Sequence, residues 1–226
     1  MDPRHDAMVR LESLDGDRVS TALHDKVLSA YSSALAATQL RDWGRADAAI
    51  ATTLALVRGA PTPSPRAERA VLLLQADSLL ARGAAERAAQ VLQPYAAENS
   101  RPVLLALSRV ALAPSANADA KLLTQRAGDL QTWVAVHPND AMAWSTLGQL
   151  WGRLGQPLRS LRADAEGRAA LGDLQGAVDR LRAGQRLGRS GGGGSGDFID
   201  VSVIDARLRD IEVQRRLIAA DEKRGR

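Results

Sequence analysis

Residues 137–157, HPNDAMAWSTLGQLWGRLGQP, place two tryptophans seven residues apart with a Leu-Gly pair between them. Trp144, Leu147, Gly148 and Trp151 stand at i, i+3, i+4 and i+7, which puts all four on one face of a helix. Gly148 lets a neighbouring helix approach closely. Gly155 can end the helix in a left-handed turn. Pro157 then suits the first position of a second helix, where a missing N–H costs little. The stretch therefore reads as a tight helical hairpin, and Pro138, six residues before Trp144, closes whatever precedes it.

The order W-x-x-L-G-x-x-W-x-x-x-G, with a Pro six residues earlier, resembles the tetratricopeptide repeat, with Trp151 where that pattern usually has Tyr. Weaker copies are expected elsewhere. YSSALAATQLRDWGRADAAIATTL (31–54) has Ala34 at the close-packing site, Asp42 and Trp43 at its turn, and Ala46 and Ile50 on its second helix. LLLQADSLLARGAAERAAQVLQPYA (72–96) matches it through Ala76, Leu79, Gly83, Ala88 and Leu92. Residues 101–138 form a longer copy with a turn expanded around Pro114 to Asn117, while Leu130, Trp133 and Pro138 hold the register of its end. LGDLQGAVDRL (171–181) repeats the turn and second helix with Gly172, Asp173, Leu174, Ala177 and Leu181. Small residues at fixed points let helices nest, and each hairpin covers its apolar face with the next. The expected fold is all-α, a tetratricopeptide-type superhelical solenoid of four to five hairpins packed through Trp144, Leu147, Gly148, Trp151, Ala46, Ala88 and Ala177.

Composition agrees with helices. Ala and Leu, the two leading residue types in this chain, also head the helix-propensity scale, and aromatic residues make up only 3%. No segment alternates in the manner of a strand. The organisation reads as a connecting segment over 1–20, a repeat domain over 21–188, a Gly/Ser linker over 189–197, and an amphipathic helix over 198–226. MDPRHDAMVR reads like a connection cut at a boundary, and no leader or membrane-spanning run is visible in the sequence. RGAPTPSPR (58–66) reads as an extended connection between repeats. In the last segment Val201, Ile204, Leu208, Ile211 and Ile218 line one stripe that must be buried for the helix to persist. Two burial sites stay open: the end of the repeat array, or another domain or partner.

The net charge of +4 is unevenly distributed. Residues 1–152 carry 15 basic and 15 acidic side chains, and residues 153–226 carry 15 basic against 11 acidic. Basic and acidic residues interleave along helical stretches, the pattern of a solvated face. Nucleic-acid binding through the Arg-rich last third is a minor alternative, with a steep salt dependence as its signature. There is no cysteine, hence no disulfide or thiolate site. The three histidines, His5, His24 and His137, lack partners at metal-ligand spacing, and no H-E-x-x-H occurs. The glycine run at 191–196 formally satisfies G-x-G-x-x-G, but no strand precedes it. Glu166 reads either as an acceptor for a nearby arginine or as an exposed residue. No catalytic residue, cofactor or metal is expected, and the chain is not expected to be an enzyme.

Three stretches add a more specific resemblance: A-E-G at 165–167, GDLQGAVDRL at 172–181, and DARLRDIEVQRR at 205–216. With these, residues 28–218 resemble the C-terminal tetratricopeptide domain of bacterial β-barrel assembly-enhancing proteases, which are periplasmic zinc metalloproteases. The resemblance implies an interaction domain that engages outer-membrane β-barrel precursors or their assembly machinery and packs on its own protease domain. The H-E-x-x-H catalytic domain would lie outside this sequence. It also implies a periplasmic location; a free-standing cytoplasmic adaptor is the alternative. In the tetratricopeptide pattern, ligand-facing positions flank the packing positions of the first helices. Here these are Tyr31, Leu35, Leu73, Asp77, Arg109, Ser145, Gln149 and Arg153.

Overall fold

The computed structural model describes residues 23–114, 116, 118–190 and 195–224, so the connecting segment read at 1–20 and His5 lie outside the described residues. Among the described residues there is no strand, and the fold is all-α, with helices inside each of its two units packed on their neighbours in chain order as in helical-repeat proteins. The chain divides into two compact units, residues 1–98 with 113–116, and residues 99–112 with 117–226.

In the first unit, α1 (Leu23–Leu40), α2 (Trp43–Arg58), α3 (Pro65–Ala81) and α4 (Ala85–Leu92) pack in sequence, and a 3-10 turn follows at Gln93–Tyr95. Ala34, Ile50, Val57, Val71 and Leu74 form its core. Ala46, Ala76 and Ala88 are fully buried, as their close-packing role requires. The Pro-rich connection is shorter than the sequence suggests, because Pro65 opens α3 behind a Ser64 side chain that accepts from Ala67 N–H.

The second unit comprises α5 (Arg101–Leu112), α6 (Ala120–Val136), α7 (Ala141–Arg153), α8 (Pro157–Ala170), α9 (Leu174–Arg189) and α10 (Ser195–Arg224). The opening stretch of sequence is the α7–α8 hairpin. Leu147 and Gly148 are buried; Trp144 and Trp151 are half-buried against the same core. Both helices bring a glycine to the crossing. A Cβ on Gly148 would stand 3.4 Å from the Ser160 carbonyl, and one on Gly167 3.4 Å from Trp144 Cβ. The glycine of A-E-G is thus the second half of the contact that Gly148 begins.

One turn design recurs four times. Arg41, Gly83, Gly155 and Gly172 all have positive φ, between 61° and 82°. In each case the next residue's N–H returns to a carbonyl five positions back, at 2.9 Å, and a helix starts immediately afterwards. This is the hydrogen bond of a Schellman-type C-cap. Its last two instances are only 17 residues apart, and accordingly α8 packs against both α7 and α9. Leu174–Arg189 is the second helix expected from LGDLQGAVDRL, with Ala177, Val178 and Leu181 buried.

α10 lies across α9 and α8. Ile204, Leu208 and Ile211 are buried there with Leu158, Ala165 and Ala177, a burial worth on the order of 1.5–3 kcal/mol for each large side chain. Ile218, expected on the same stripe, is instead exposed. The pairings explain why. Val201 lies over Gly188, Ile204 over Gly184, and Arg182 bonds Glu212 at 2.8 Å, so the two helices run antiparallel and α9 runs out near its Leu174 before α10 reaches Ile218. The helix begins at Ser195, inside the stretch read as linker; residues 191–194 lie outside the described residues.

Candidate functional site

The candidate groove residues fall into two sets, one in each unit. In the first unit, Tyr31 on α1 is half-buried against the core, and Asp77 on α3 lies close enough for its charge to act on the phenol. The hydroxyl titrates above the ordinary tyrosine range, first because it is buried and second because of that negative charge. Leu73 is half-buried and Leu35 just exposed. These four therefore present a mainly apolar patch with one acidic group.

In the second unit, α5 and α7 pack on each other. Both turn small and aliphatic side chains inward: Val103, Leu104 and Ala106 on α5, Ala143, Leu147 and Leu150 on α7. What remains outward on α7 is a narrow polar row. Ser145, Gln149 and Arg153 stand at i, i+4 and i+8, all exposed, with Met142 continuing the row. Arg109 is exposed at the corresponding place on α5, with half-buried Leu105 one turn earlier. Arg153 Nη1 donates to the Leu112 carbonyl at 3.4 Å, so it also closes the C-terminal end of α5. Met142 and Leu105 belong to this surface although the ligand-facing pattern omitted them. The signal was present, since each lies three or four residues from a residue that the pattern did include.

The row is held rigidly from beneath. Asp140 caps α7 by accepting from Ala143 N–H at 3.2 Å. The same carboxylate accepts Trp133 Nε1–H at 2.9 Å and two bonds from Arg101, at 2.6 and 2.9 Å. One side chain thus joins the start of α5, the end of α6 and the start of α7. The Arg101 guanidinium, then the indole and backbone donors, hold the Asp140 carboxyl down at about 2 against the cost of burial. His137 ends α6 with its ring 3.9 Å from that of Trp133, the turn role expected of it. Trp144 Nε1–H donates to the Pro138 carbonyl at 2.9 Å, and the Arg159 guanidinium sits 5.0 Å above the Trp151 ring. Both tryptophans of the opening stretch are pinned, so α7 cannot easily roll.

The remaining pieces of interest lie under α10. Glu166 is an acceptor, as one of the two sequence readings had it: Arg207 binds it through three contacts of 2.8 to 3.0 Å. Arg159 to Asp200 at 3.0 Å and Gln185 to Asp205 at 2.7 Å complete the rim. Gly184 and Gly188, whose small-x-x-x-small spacing the sequence reading passed over, leave the room that Ile204 and Val201 fill.

Among the described residues no three His, Asp or Glu side chains gather to hold a metal ion. No described helix is long and apolar enough to cross a membrane. What the α5–α7 face offers is a firm row of hydrogen-bonding groups beside thioether and aliphatic surface. Such a face can hold an extended main chain by its amides while apolar side chains settle alongside. No protein-family model matches the chain, and no curated protein matches it.

Proposed function

We propose that this chain is the client-engaging helical-repeat domain of a periplasmic zinc metalloprotease that acts in outer-membrane β-barrel assembly and quality control. It contributes binding and leaves hydrolysis to a catalytic domain elsewhere in the protein. The observation that carries this reading is the pairing of Glu166 with Arg207. The two residues are 41 apart and come from two of the three stretches on which the family resemblance rests, A-E-G and DARLRD. The contact between two of the stretches that carry the resemblance is what supports the reading.

The client would be an unfolded β-barrel strand, extended, with alternating apolar side chains and free main-chain amides. Gln149, Ser145 and Arg153 supply donors and acceptors for the amides, and Met142 and Leu105 supply contact for the apolar side chains. Arg109 adds a cation at the end of the row. Binding without catalysis is consistent with a chain that has no H-E-x-x-H. The test is fluorescence anisotropy of labelled β-barrel strand peptides, with a scrambled polar peptide as control. Gln149→Ala with Arg153→Glu should weaken strand binding roughly tenfold, the loss of two or three hydrogen bonds. Gln175→Ala, exposed on α9, should leave it unchanged. Equal affinity for strand and scrambled peptides, or no effect of the double variant, would overturn the reading.

A further inference from the structure

α10 is apolar on two opposite faces. One, formed by Val201, Ile204, Leu208 and Ile211, is closed by α9 and α8. The other runs along the outside as Ile199, Val203, Ala206, Asp210, Val213, Leu217 and Ala220, spaced alternately by four and three residues. Ile199, Val213 and Leu217 on this row are 66, 51 and 62% exposed. The spacing is a heptad with Val203, Asp210 and Leu217 at a, and Ile199, Ala206, Val213 and Ala220 at d. A helix with an apolar stripe on each side needs cover on each side, and among the described residues only the inner stripe has it.

The edges of the outer row say what would cover it. In the later heptads Arg209 and Arg216 occupy g along one edge, and Gln214 and Asp221 occupy e along the other; the earlier e residues Asp200 and Arg207 are taken by Arg159 and Glu166 of α8. Arg209, Asp210, Arg216 and Asp221 make no ion pair among the described residues, whereas Arg207 and Glu212 on the same helix are both paired. When two such helices lie parallel and in register, each g residue faces the e residue five positions on in the other strand. Arg216 then meets Asp221 of the second copy, twice by symmetry, and Asp210 at a, which faces its own copy across the seam, is neutralised by Arg209 of that copy lying beside it. In an antiparallel pair like edges meet, and arginine would face arginine. The outer row is complementary to itself in one orientation.

We propose that the outer face of α10 pairs with the same face of a second copy of this chain, parallel and in register, about a two-fold axis running along the helices. The surface is separate from the α5–α7 face, and neither proposal depends on the other. Three exposed large aliphatic side chains per copy make a small seam, so the dimer is a weak one, with a dissociation constant in the micromolar range.

The test is sedimentation velocity of the 226-residue chain from about 5 to 500 μM. A reversible dimer is expected. Leu217→Lys puts an ammonium group opposite its own copy and beside Arg216 of that copy, and should raise the dissociation constant roughly tenfold or more. Leu171→Asp, at an exposed leucine outside the row, should not change it. Because the chain has no cysteine, Ile199→Cys and Val213→Cys can be introduced singly. Both should form disulfide-linked homodimers under mild oxidation, since only a parallel in-register pair brings each d position to its own copy. Circular dichroism of each variant checks that the helix persists. A chain that stays monomeric throughout the range overturns the proposal, as does a dimer indifferent to Leu217→Lys or one in which either cysteine fails to link.

Discussion

Replacing Asp140 by alanine removes every interaction by which one carboxylate joins three helices, and the cost can be worked from the bonds it makes. The N-cap bond to Ala143 is worth about 1 kcal/mol. The Trp133 indole N–H loses its acceptor while half-buried, about 1 kcal/mol more. The two bonds from Arg101 involve a guanidinium side chain 49% exposed and are discounted for screening to about 1 kcal/mol. Asp140→Ala should therefore destabilise the second unit by roughly 3 kcal/mol, and Asp140→Asn, which retains the cap, by roughly 1–2 kcal/mol. The pH dependence follows from the same bonds. The folded carboxyl is held near 2, below its ordinary value of 3.8. A depressed folded pKa means that its contribution is complete above about pH 4 and disappears as the pH falls from about 4 to about 2. Urea unfolding followed by tryptophan fluorescence measures this directly, because Trp133, Trp144 and Trp151 all lie in the second unit. Other carboxylates titrate in the same window, so the decisive quantity is the difference between the wild-type and Asp140→Asn stability profiles. A cost below about 1 kcal/mol for Asp140→Ala, or parallel profiles between pH 4 and 2, would refute the reasoning.

Three further substitutions probe the fold that carries these surfaces. A Cβ on Gly188 would fall 2.3 Å from Val201 Cγ2, so Gly188→Leu should loosen α10 by about 1–3 kcal/mol, seen as faster amide exchange across 201–211. Unchanged exchange would mean that α10 does not depend on this close approach. Glu166→Ala and Arg207→Ala, singly and together, should show a coupling of about 1 kcal/mol in a double-mutant cycle, since the pair is bidentate but Arg207 is only partly buried. Additive losses would show the pair to be energetically idle. Arg41 holds φ 61° where the three equivalent turns have glycine; Arg41→Gly should raise stability by up to about 1 kcal/mol in thermal unfolding, and a loss would mean that the arginine side chain compensates for its backbone.

How much of this was legible in the sequence differs from element to element. The hairpins were legible because their signals are local: glycine at a left-handed turn, a small residue where two helices cross, and proline at a first helical position. Hence Gly83, Gly155 and Gly172 mark three of the four recurring turns. The fourth hides behind Arg41, an ordinary residue in an uncommon conformation. The close-packing alanines, Ala46, Ala88 and Ala177, were equally plain, since a fully buried alanine at that spacing has few other uses. The candidate face was legible only in outline. The positions of Ser145, Gln149 and Arg153 follow from the helical period, but the attachment of Arg153 to the end of α5 joins residues 41 apart, which no period specifies.

The amino-acid sequence by itself determined that the chain folds as consecutive helical hairpins, where the three glycine turns lie, and which side of most of these helices is buried. These depend on residues within one or two turns of each other, through backbone preference and apolar period. The tertiary structure alone decided that the last helix lies antiparallel on α9, that Glu166 receives Arg207, and that Asp140 gathers Arg101 and Trp133. Each of these brings together groups distant in the chain or chooses one partner among several of equal chemistry; many arginines could have reached Glu166. Only the packing of α8, α9 and α10 determines which one arrives. The same packing leaves one apolar row of α10 covered and the other outside.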